Sequence, residues 1–133
     1  MSKLFNGTSI GIGIIGGSFC HVFGGFDVLI KSLLLLVILD YITGLLKGIV
    51  TKSLSSEVGF KGLIKKVFIF IVVATAVTLE RLTNSVIPLR EVVIMFFVCN
   101  EALSLLENSS EIIPIPKKLK DTLIQLRDKE EDE

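Results

Sequence analysis

Three long apolar stretches constrain this chain more than any other feature of its sequence. They cover about residues 28–47, 63–82 and 87–106, and the centre of each carries no charged residue. Each is close to the roughly 20 residues that an α-helix needs to cross the hydrocarbon core of a bilayer. Each is also too long for a buried strand and too evenly apolar for a one-sided helix of a soluble protein. The pattern predicts an all-α integral membrane bundle in which these three segments are transmembrane helices.

The N-terminal stretch, about residues 8–26, predicts a fourth transmembrane helix of a different kind. It carries no charge, but seven of the eleven glycines in the chain lie between Gly7 and Gly25. Glycine weakens a helix in water by about 1 kcal/mol relative to alanine, and it is better tolerated inside a bilayer. A re-entrant or interfacial segment is the main alternative for these residues, and a cleaved signal peptide is another.

The charge balance excludes several classes of protein. The 133 residues contain 14 Lys+Arg and 14 Asp+Glu, so the formal net charge is zero, and the length allows one domain. Phosphate binding needs a surplus of Lys and Arg on one face, which argues against a nucleic acid partner. A chain this apolar is also not disordered. The two cysteines, Cys20 and Cys99, lie in apolar stretches and are predicted to be buried small residues.

The distribution of Lys and Arg predicts the orientation, because these residues concentrate in cytoplasmic loops. Five lysines lie in the connection between the first two of the three apolar stretches or at the ends that flank it: Lys47, Lys52, Lys61, Lys65 and Lys66. Around the next connection, Lys and Arg are represented only by Arg81 and Arg90. Three lysines follow the last stretch: Lys117, Lys118 and Lys120. The lysine-rich connection and the C-terminus are therefore predicted to be cytoplasmic, and so is the N-terminus if residues 8–26 cross the membrane.

The chain is predicted to divide into a transmembrane domain, residues 1–113, and a cytoplasmic charged tail, residues 114–133. Pro114 and Pro116 prevent the last span from continuing as a helix. Three leucines of the tail follow the i, i+4, i+7 spacing of an amphipathic helix: Leu119, Leu123 and Leu126. The tail is predicted to be solvated; the alternatives are a surface helix that rests on the inner leaflet and an electrostatic regulator of assembly.

Two acidic residues break the apolar pattern inside the predicted spans. Asp40 lies in the first and Glu101 in the last, and a charge near the bilayer centre costs roughly 2.5–3.5 kcal/mol. Helical spacing places other small or polar residues on the same two faces: Thr43, Gly44 and Lys47 with Asp40, and Ser104, Glu107 and Asn108 with Glu101.

The predicted topology puts the two acids at a similar depth, where they cannot comfortably both ionise without a nearby cation or water. The cations within reach are lysines of the inner interface: Lys47, Lys65 and Lys66. We predict that the two polar faces meet protein or water rather than lipid. They either form subunit contacts or line a pore, or they only hold the helices of one monomer together.

The sequence predicts no enzyme, no cofactor and no metal site. His21 is the only histidine, so a histidine-based triad or a zinc site lacks partners. Gly11-x-Gly13-x-x-Gly16 matches the dinucleotide-binding pattern by letter, but no βαβ unit surrounds it.

Five segments in a fixed order carry a family resemblance: Leu39–Gly44, Leu54–Gly62, Lys65–Lys66, Asn100–Asn108 and Pro114–Lys120. Through them the chain resembles the phage-lysis and toxin-secretion holins, a family of small bacterial membrane proteins. The resemblance covers nearly all of the chain from about Leu34 onward. In that family an aspartate often stands where this chain has Glu80, which keeps the charge.

The resemblance implies a holin, a passive pore former that oligomerises in the bacterial cytoplasmic membrane and then opens it. A cell-wall hydrolase or a large toxin then passes, so the implied partners are the lipid bilayer, other copies of the chain and, indirectly, that cargo. No cofactor is implied. Two alternatives stay open: a small ion channel or transporter that uses Asp40 and Glu101, and an antiholin that blocks a pore former.

The lysine-rich connection is predicted to be a cytoplasmic loop that is rich in small residues. Its members are Ser55, Ser56, Gly59, Gly62, Lys65 and Lys66. A purely structural role is expected for it, with a close turn between helices as the alternative.

Overall fold

Helix is the sole regular structure across residues 2–131, the part of the chain that the computed structural model describes. There the helices are α1 (Ser2–Phe23), α2 (Val28–Val50), α3 (Ser56–Leu82), α4 (Leu89–Ser110) and α5 (Lys117–Glu131). The prediction of an all-helical chain is confirmed.

Side-chain caps fix where α2 and α3 begin. The carboxylate of Asp27 accepts a hydrogen bond from the backbone N–H of Ile30 at 3.2 Å, and the hydroxyl of Ser55 accepts one from Val58 at 3.1 Å. Each bond satisfies an N–H group that has no partner within the helix, which stabilises a helix start by about 1 kcal/mol.

Helix α4 lies at the centre of the packing, against α2, α3 and α5. The buried core is formed by aliphatic side chains of α2, α3 and α4: Ile30, Leu33, Val37, Ile69, Val73, Val77 and Ile94. Helix α1 contacts this bundle near its C-terminal end, where the ring of Phe23 packs edge-on against Phe70 of α3 at 5.9 Å between centroids.

The outer surface of α2 and α3 is apolar. Both helices are long and apolar enough to cross a membrane, and only 22% of the most apolar segment of each is buried within the protein. A core helix of a soluble protein is mostly buried, whereas these helices expose large side chains such as Leu35, Phe68 and Ile71. A membrane-embedded bundle therefore fits the structure, and the crossing of the bilayer by α1 and α4 stays a prediction.

The prediction of the loop after α2 is wrong, because the loop is much shorter than predicted. Of its six residues only Ser55 lies outside a helix, and the other five belong to α3: Ser56, Gly59, Gly62, Lys65 and Lys66. The cap by Ser55 starts α3 at once, so the helix begins at Ser56 instead of at about residue 63. Small residues at Gly59 and Gly62 serve packing instead, because they lie against the ring of Tyr41 on α2.

Cysteine burial also differs from the prediction. Cys99 is buried, but Cys20 is exposed. The reason is that α1 meets the bundle on one side near its end, so most of its other side chains face outward. The predicted N-terminal span is therefore a helix that is mostly not covered by the rest of the chain. It ends at Phe23 instead of at about residue 26.

The C-terminal tail folds as the predicted helix and packs against α4. An ion pair between Lys120 Nζ and Glu107 Oε1 at 3.9 Å joins α5 to α4. Of the three predicted leucines, Leu123 is half-buried, while Leu119 and Leu126 are exposed. The cytoplasmic position of the tail stays a prediction.

Candidate functional site

Three helices each bring one charged residue to a single point within the bundle. Lys66 of α3 donates hydrogen bonds from its Nζ to Asp40 Oδ2 of α2 and, at 2.6 Å, to Glu101 Oε2 of α4. The two acids are almost fully buried, with 4% of Asp40 and 6% of Glu101 exposed. We call these three residues the ion cluster. It connects three segments that are far apart in the sequence.

Asn108 of α4 completes the polar contact with α2. Its Nδ2 group donates to Asp40 Oδ1 at 3.0 Å, to the backbone carbonyl of Asp40 at 3.2 Å and to the hydroxyl of Thr43 at 3.2 Å. Asp40 thus accepts hydrogen bonds at both carboxylate oxygens. Gly44 lies beside this amide, and a Cβ there would be in ordinary van der Waals contact with Asn108 Nδ2, at 3.6 Å.

The ion cluster stabilises one arrangement of the three helices, because its charges are costly to bury without their partners. Buried ions lose their hydration, and their mutual attraction compensates only when the geometry is good and the remaining oxygens are hydrogen-bonded. Loss of one partner leaves an unpaired buried charge, which typically costs 3–5 kcal/mol. The ion cluster therefore holds α2, α3 and α4 in one arrangement and opposes any motion that separates them.

A cleft of about 280 Å³ connects the ion cluster to the turn between α2 and α3. Asp40 and Lys66 lie at one end of it, and Ser53 and Leu54 of the turn lie at the other. Lys47 is among the residues that line it. The cleft gives the ion cluster access to one side of the bundle.

The turn beside this cleft is held by close contacts of glycine. A Cβ on Gly48 would lie 3.2 Å from Leu54 Cβ, which is tighter than ordinary packing. The hydroxyl of Tyr41 donates to the carbonyl oxygen of Gly59 at 3.1 Å. These contacts bring the end of α2 close to the start of α3.

The predicted site residues do not all come together. Asp40, Thr43, Glu101 and Asn108 share one polar contact, as described above. The other members of the two polar faces lie apart from the ion cluster: Lys47 lines the cleft, Ser104 is half-buried on α4, and Glu107 is exposed and paired with Lys120. Of the candidate lysines, Lys66 meets the acids, while Lys65 is exposed.

A second polar contact lies at the opposite end of α4, and the sequence did not predict it. The guanidinium of Arg90 makes two hydrogen bonds to the carboxylate of Asp27, at 2.9 and 3.0 Å, and two more to the carbonyl oxygens of Phe23 and Gly25, at 2.6 and 3.3 Å. We call this the Arg90 clamp. It ties α4 to the turn between α1 and α2. The signal available in the sequence was only that both charged residues fall at predicted helix ends on one side.

The Arg90 clamp has two local consequences. The hydrogen bonds from Arg90 lower the pKa of the Asp27 carboxyl to about 2. Gly24, with a φ of +76°, adopts a left-handed backbone that glycine tolerates. A Cβ there would lie 2.8 Å from the Arg90 side chain, so only glycine fits under the clamp.

Sequence comparison places these features in a family. A model of the bacteriophage holin family matches residues 17–128. An uncharacterized 14.9 kDa protein from the nagH 3' region of Clostridium perfringens is 39% identical over 131 residues, which are 97% of this chain and 99% of the relative. An uncharacterized protein of Listeria innocua is 38% identical over 93% of this chain and 89% of the relative. The uncharacterized protein YqxH of Bacillus subtilis is 31% identical, over 84% and 79%. No solved structure matches the chain.

Proposed function

The chain belongs to the bacteriophage holin family, and from this premise we propose that it oligomerises in the bacterial cytoplasmic membrane and permeabilises it. A cell-wall hydrolase or a large toxin leaves the cell through the opening. The family is non-enzymatic, so the proposed activity consists of assembly and rearrangement of helices.

The observation that carries this proposal is the ion cluster, a set of charges hidden inside a bundle whose outer surface is apolar. The buried ions have given up their hydration, and they regain it if α2, α3 and α4 separate and water enters. A closed monomer therefore already contains polar surface that an aqueous opening requires. In a bundle without such charges, separation of the helices would expose only apolar side chains to water, and no hydration of ions would offset that cost.

The proposed pore-lining or subunit-contact residues differ in when they become available. Asp40, Glu101 and Asn108 are engaged with one another inside the monomer, so they reach water or another subunit only after α2 and α4 separate. Glu107 is exposed and Lys47 is half-buried at the cleft, so neither depends on that step to be reached. This difference supports a closed state that is stable as a monomer and a later state that exposes the ion cluster.

We propose an orientation in which the turn between α2 and α3, together with α5, lies in the cytoplasm. The lysines near this end support it, because Lys and Arg are enriched in cytoplasmic loops. The Arg90 clamp then lies toward the outer face. If α1 also crosses the bilayer, the N-terminus is cytoplasmic.

Inducible expression in a bacterium tests the proposal. The chain is expressed alone and together with a cell-wall hydrolase that has no secretion signal of its own. We expect an abrupt stop in growth with the chain alone and lysis only when both proteins are present. The hydrolase alone is the control, and immunoblotting of membrane fractions verifies equal amounts of the chain.

Three outcomes contradict the proposal. Growth that continues at full expression in the membrane rules out a permeabilising protein. Leakage of small ions without release of the hydrolase indicates a channel or transporter instead. A chain that has no effect alone but delays the growth arrest caused by another pore former acts as an antiholin.

A further inference from the structure

The ion cluster contains two acids and one base. Lys66 supplies one positive charge, while Asp40 and Glu101 supply two negative charges if both are ionised. Both carboxylates bond to the same Nζ, so they lie within a few ångströms of each other, and both are almost fully buried. Like charges at this separation in a low dielectric do not both remain ionised. Uptake of one proton makes the ion cluster neutral.

The hydrogen bonds decide which acid takes that proton. Asp40 accepts at both oxygens, from Asn108 at Oδ1 and from Lys66 at Oδ2. Within the described residues, Glu101 accepts a hydrogen bond from Lys66 alone, at Oε2. Hydrogen bonds donated to a carboxylate favour its ionised form. Glu101, the acid with fewer hydrogen-bond donors, is therefore the one that holds the proton.

The surrounding charged groups do not provide a second cation. On α2, Lys47 lines the cleft but forms no ion pair among the described residues. On α3, Lys65 is exposed. On α4, Glu107 is paired with Lys120 of α5 and is itself exposed. The charge of the ion cluster is thus set by its own three members.

Protons reach the ion cluster from one side. The cleft runs from the turn between α2 and α3 to Asp40 and Lys66, and Glu101 lies behind them across the shared Nζ. In the other direction the apolar core begins one helical turn away, at Val37 of α2 and Ile69 of α3. The cleft is therefore the side from which a proton reaches the ion cluster.

We propose that the ion cluster is a proton-binding site in which Glu101 holds one proton while the bundle is closed, loaded from the side of the cleft. In the loading step a hydronium ion gives its proton to a carboxylate oxygen of Glu101 and departs as water. No electron is transferred. The site is a property of the closed molecule and does not depend on the proposed permeabilisation.

Infrared spectroscopy of the full-length protein in dodecyl maltoside micelles tests the proposal, because a protonated carboxyl group has its own C=O stretching band and this detergent contains no carbonyl group. We expect this band in the unmodified protein at neutral pH. Glu101→Gln removes it, since glutamine copies the shape of protonated glutamate but has no carboxyl group. Glu107→Gln, on the same helix but exposed, is the matched control and retains the band.

A second pair of variants tests the charge argument. Lys66→Met removes the only cation of the ion cluster, so neutrality then requires two protons and the band grows about twofold. Lys65→Met is the matched control and leaves the band unchanged. Circular dichroism verifies the helix content of every variant. If Lys66→Met does not fold, the two glutamate variants alone decide.

The proposal is overturned if the unmodified protein shows no protonated carboxyl band at neutral pH, or if the band persists in Glu101→Gln. A band that is lost in Asp40→Asn but kept in Glu101→Gln overturns the assignment to Glu101. A band of unchanged size in a folded Lys66→Met protein refutes the charge balance on which the inference rests.

Discussion

Replacing Arg90 by methionine should loosen the attachment of α1 to the rest of the bundle. The arginine side chain is 11% exposed and makes every contact of the Arg90 clamp. Methionine keeps the apolar part of the side chain and removes all of the hydrogen-bond donors. The variant therefore isolates the polar contacts from the packing of the aliphatic stem.

The size of the effect follows from two contributions. The pKa of Asp27 falls from 3.8 to about 2, and at about 1.36 kcal/mol for each pKa unit the full conversion is about 2.4 kcal/mol. Because 49% of the Asp27 side chain is exposed, solvent screening reduces this to about 1 kcal/mol. Two carbonyl oxygens that lose a charged donor add about 1–3 kcal/mol. We expect the free energy of unfolding to fall by about 2–4 kcal/mol.

The same ion pair predicts a pH dependence with a definite sign. The pKa of Asp27 is lower in the folded protein than in the unfolded chain, so its contribution is fully present above about pH 4. That contribution is lost as the pH falls from about 3.8 toward 2. In Arg90→Met this part of the pH dependence should shrink, because the hydrogen bonds from Arg90 are lost while the cap bond from Ile30 still favours the ionised carboxylate.

Denaturant unfolding in detergent micelles, followed by circular dichroism at several pH values, measures these changes. Limited proteolysis at residues 24–27 reports the loosening of α1 separately. Arg81→Met is the matched control, since Arg81 is exposed near the same end of the bundle. A double-mutant cycle with Asp27→Asn should give a coupling of about 1 kcal/mol. Equal unfolding free energies for Arg90→Met and Arg81→Met, or a coupling of zero, would refute the reasoning.

Three further substitutions are expected to change the free energy of unfolding in the same assay. Lys66→Met leaves two buried acids without their cation and should cost about 3–5 kcal/mol, whereas Lys65→Met should stay within about 0.5 kcal/mol of the unmodified protein; similar values for the pair would contradict a structural role of the ion cluster. Gly24→Ala places a Cβ against the Arg90 side chain on a left-handed backbone and should cost about 1–3 kcal/mol, while Gly17→Ala, which meets open space, should be neutral or stabilising. Asn108→Leu leaves Asp40 Oδ1 without its donor and should cost about 1–3 kcal/mol, and an unchanged stability would show that this hydrogen bond contributes nothing.

Sequence reasoning predicts the helices well where long apolar runs define them, as in α2. It fails at the start of α3, because the glycines and lysines of residues 56–66 resemble a loop when read one by one. Their helical state depends on the cap by Ser55 and on the packing of Gly59 and Gly62 against Tyr41. Those contacts involve another helix and leave no pattern within the segment itself.

The acids of the candidate site are visible in the sequence, because a charge inside an apolar run is costly. Their partner is not, since the choice among Lys47, Lys65 and Lys66 depends on how α3 is rotated against α2 and α4. The Arg90 clamp is even harder to predict from the sequence, because 63 residues separate Arg90 from Asp27. Spacing along one helix carries no information about such a pairing.

The three polar anchors of α4 lie almost on one line along that helix. At 3.6 residues per turn, Arg90 and Asn108 are five full turns apart, and Glu101 lies within about 20° of the line that joins them. A rotation of α4 about its axis therefore withdraws all three side chains from their partners together, and no rotation releases one end while preserving the other. Loss of the closed arrangement is thus concerted within each molecule: the contacts at both ends of α4 and at its middle are lost in one step.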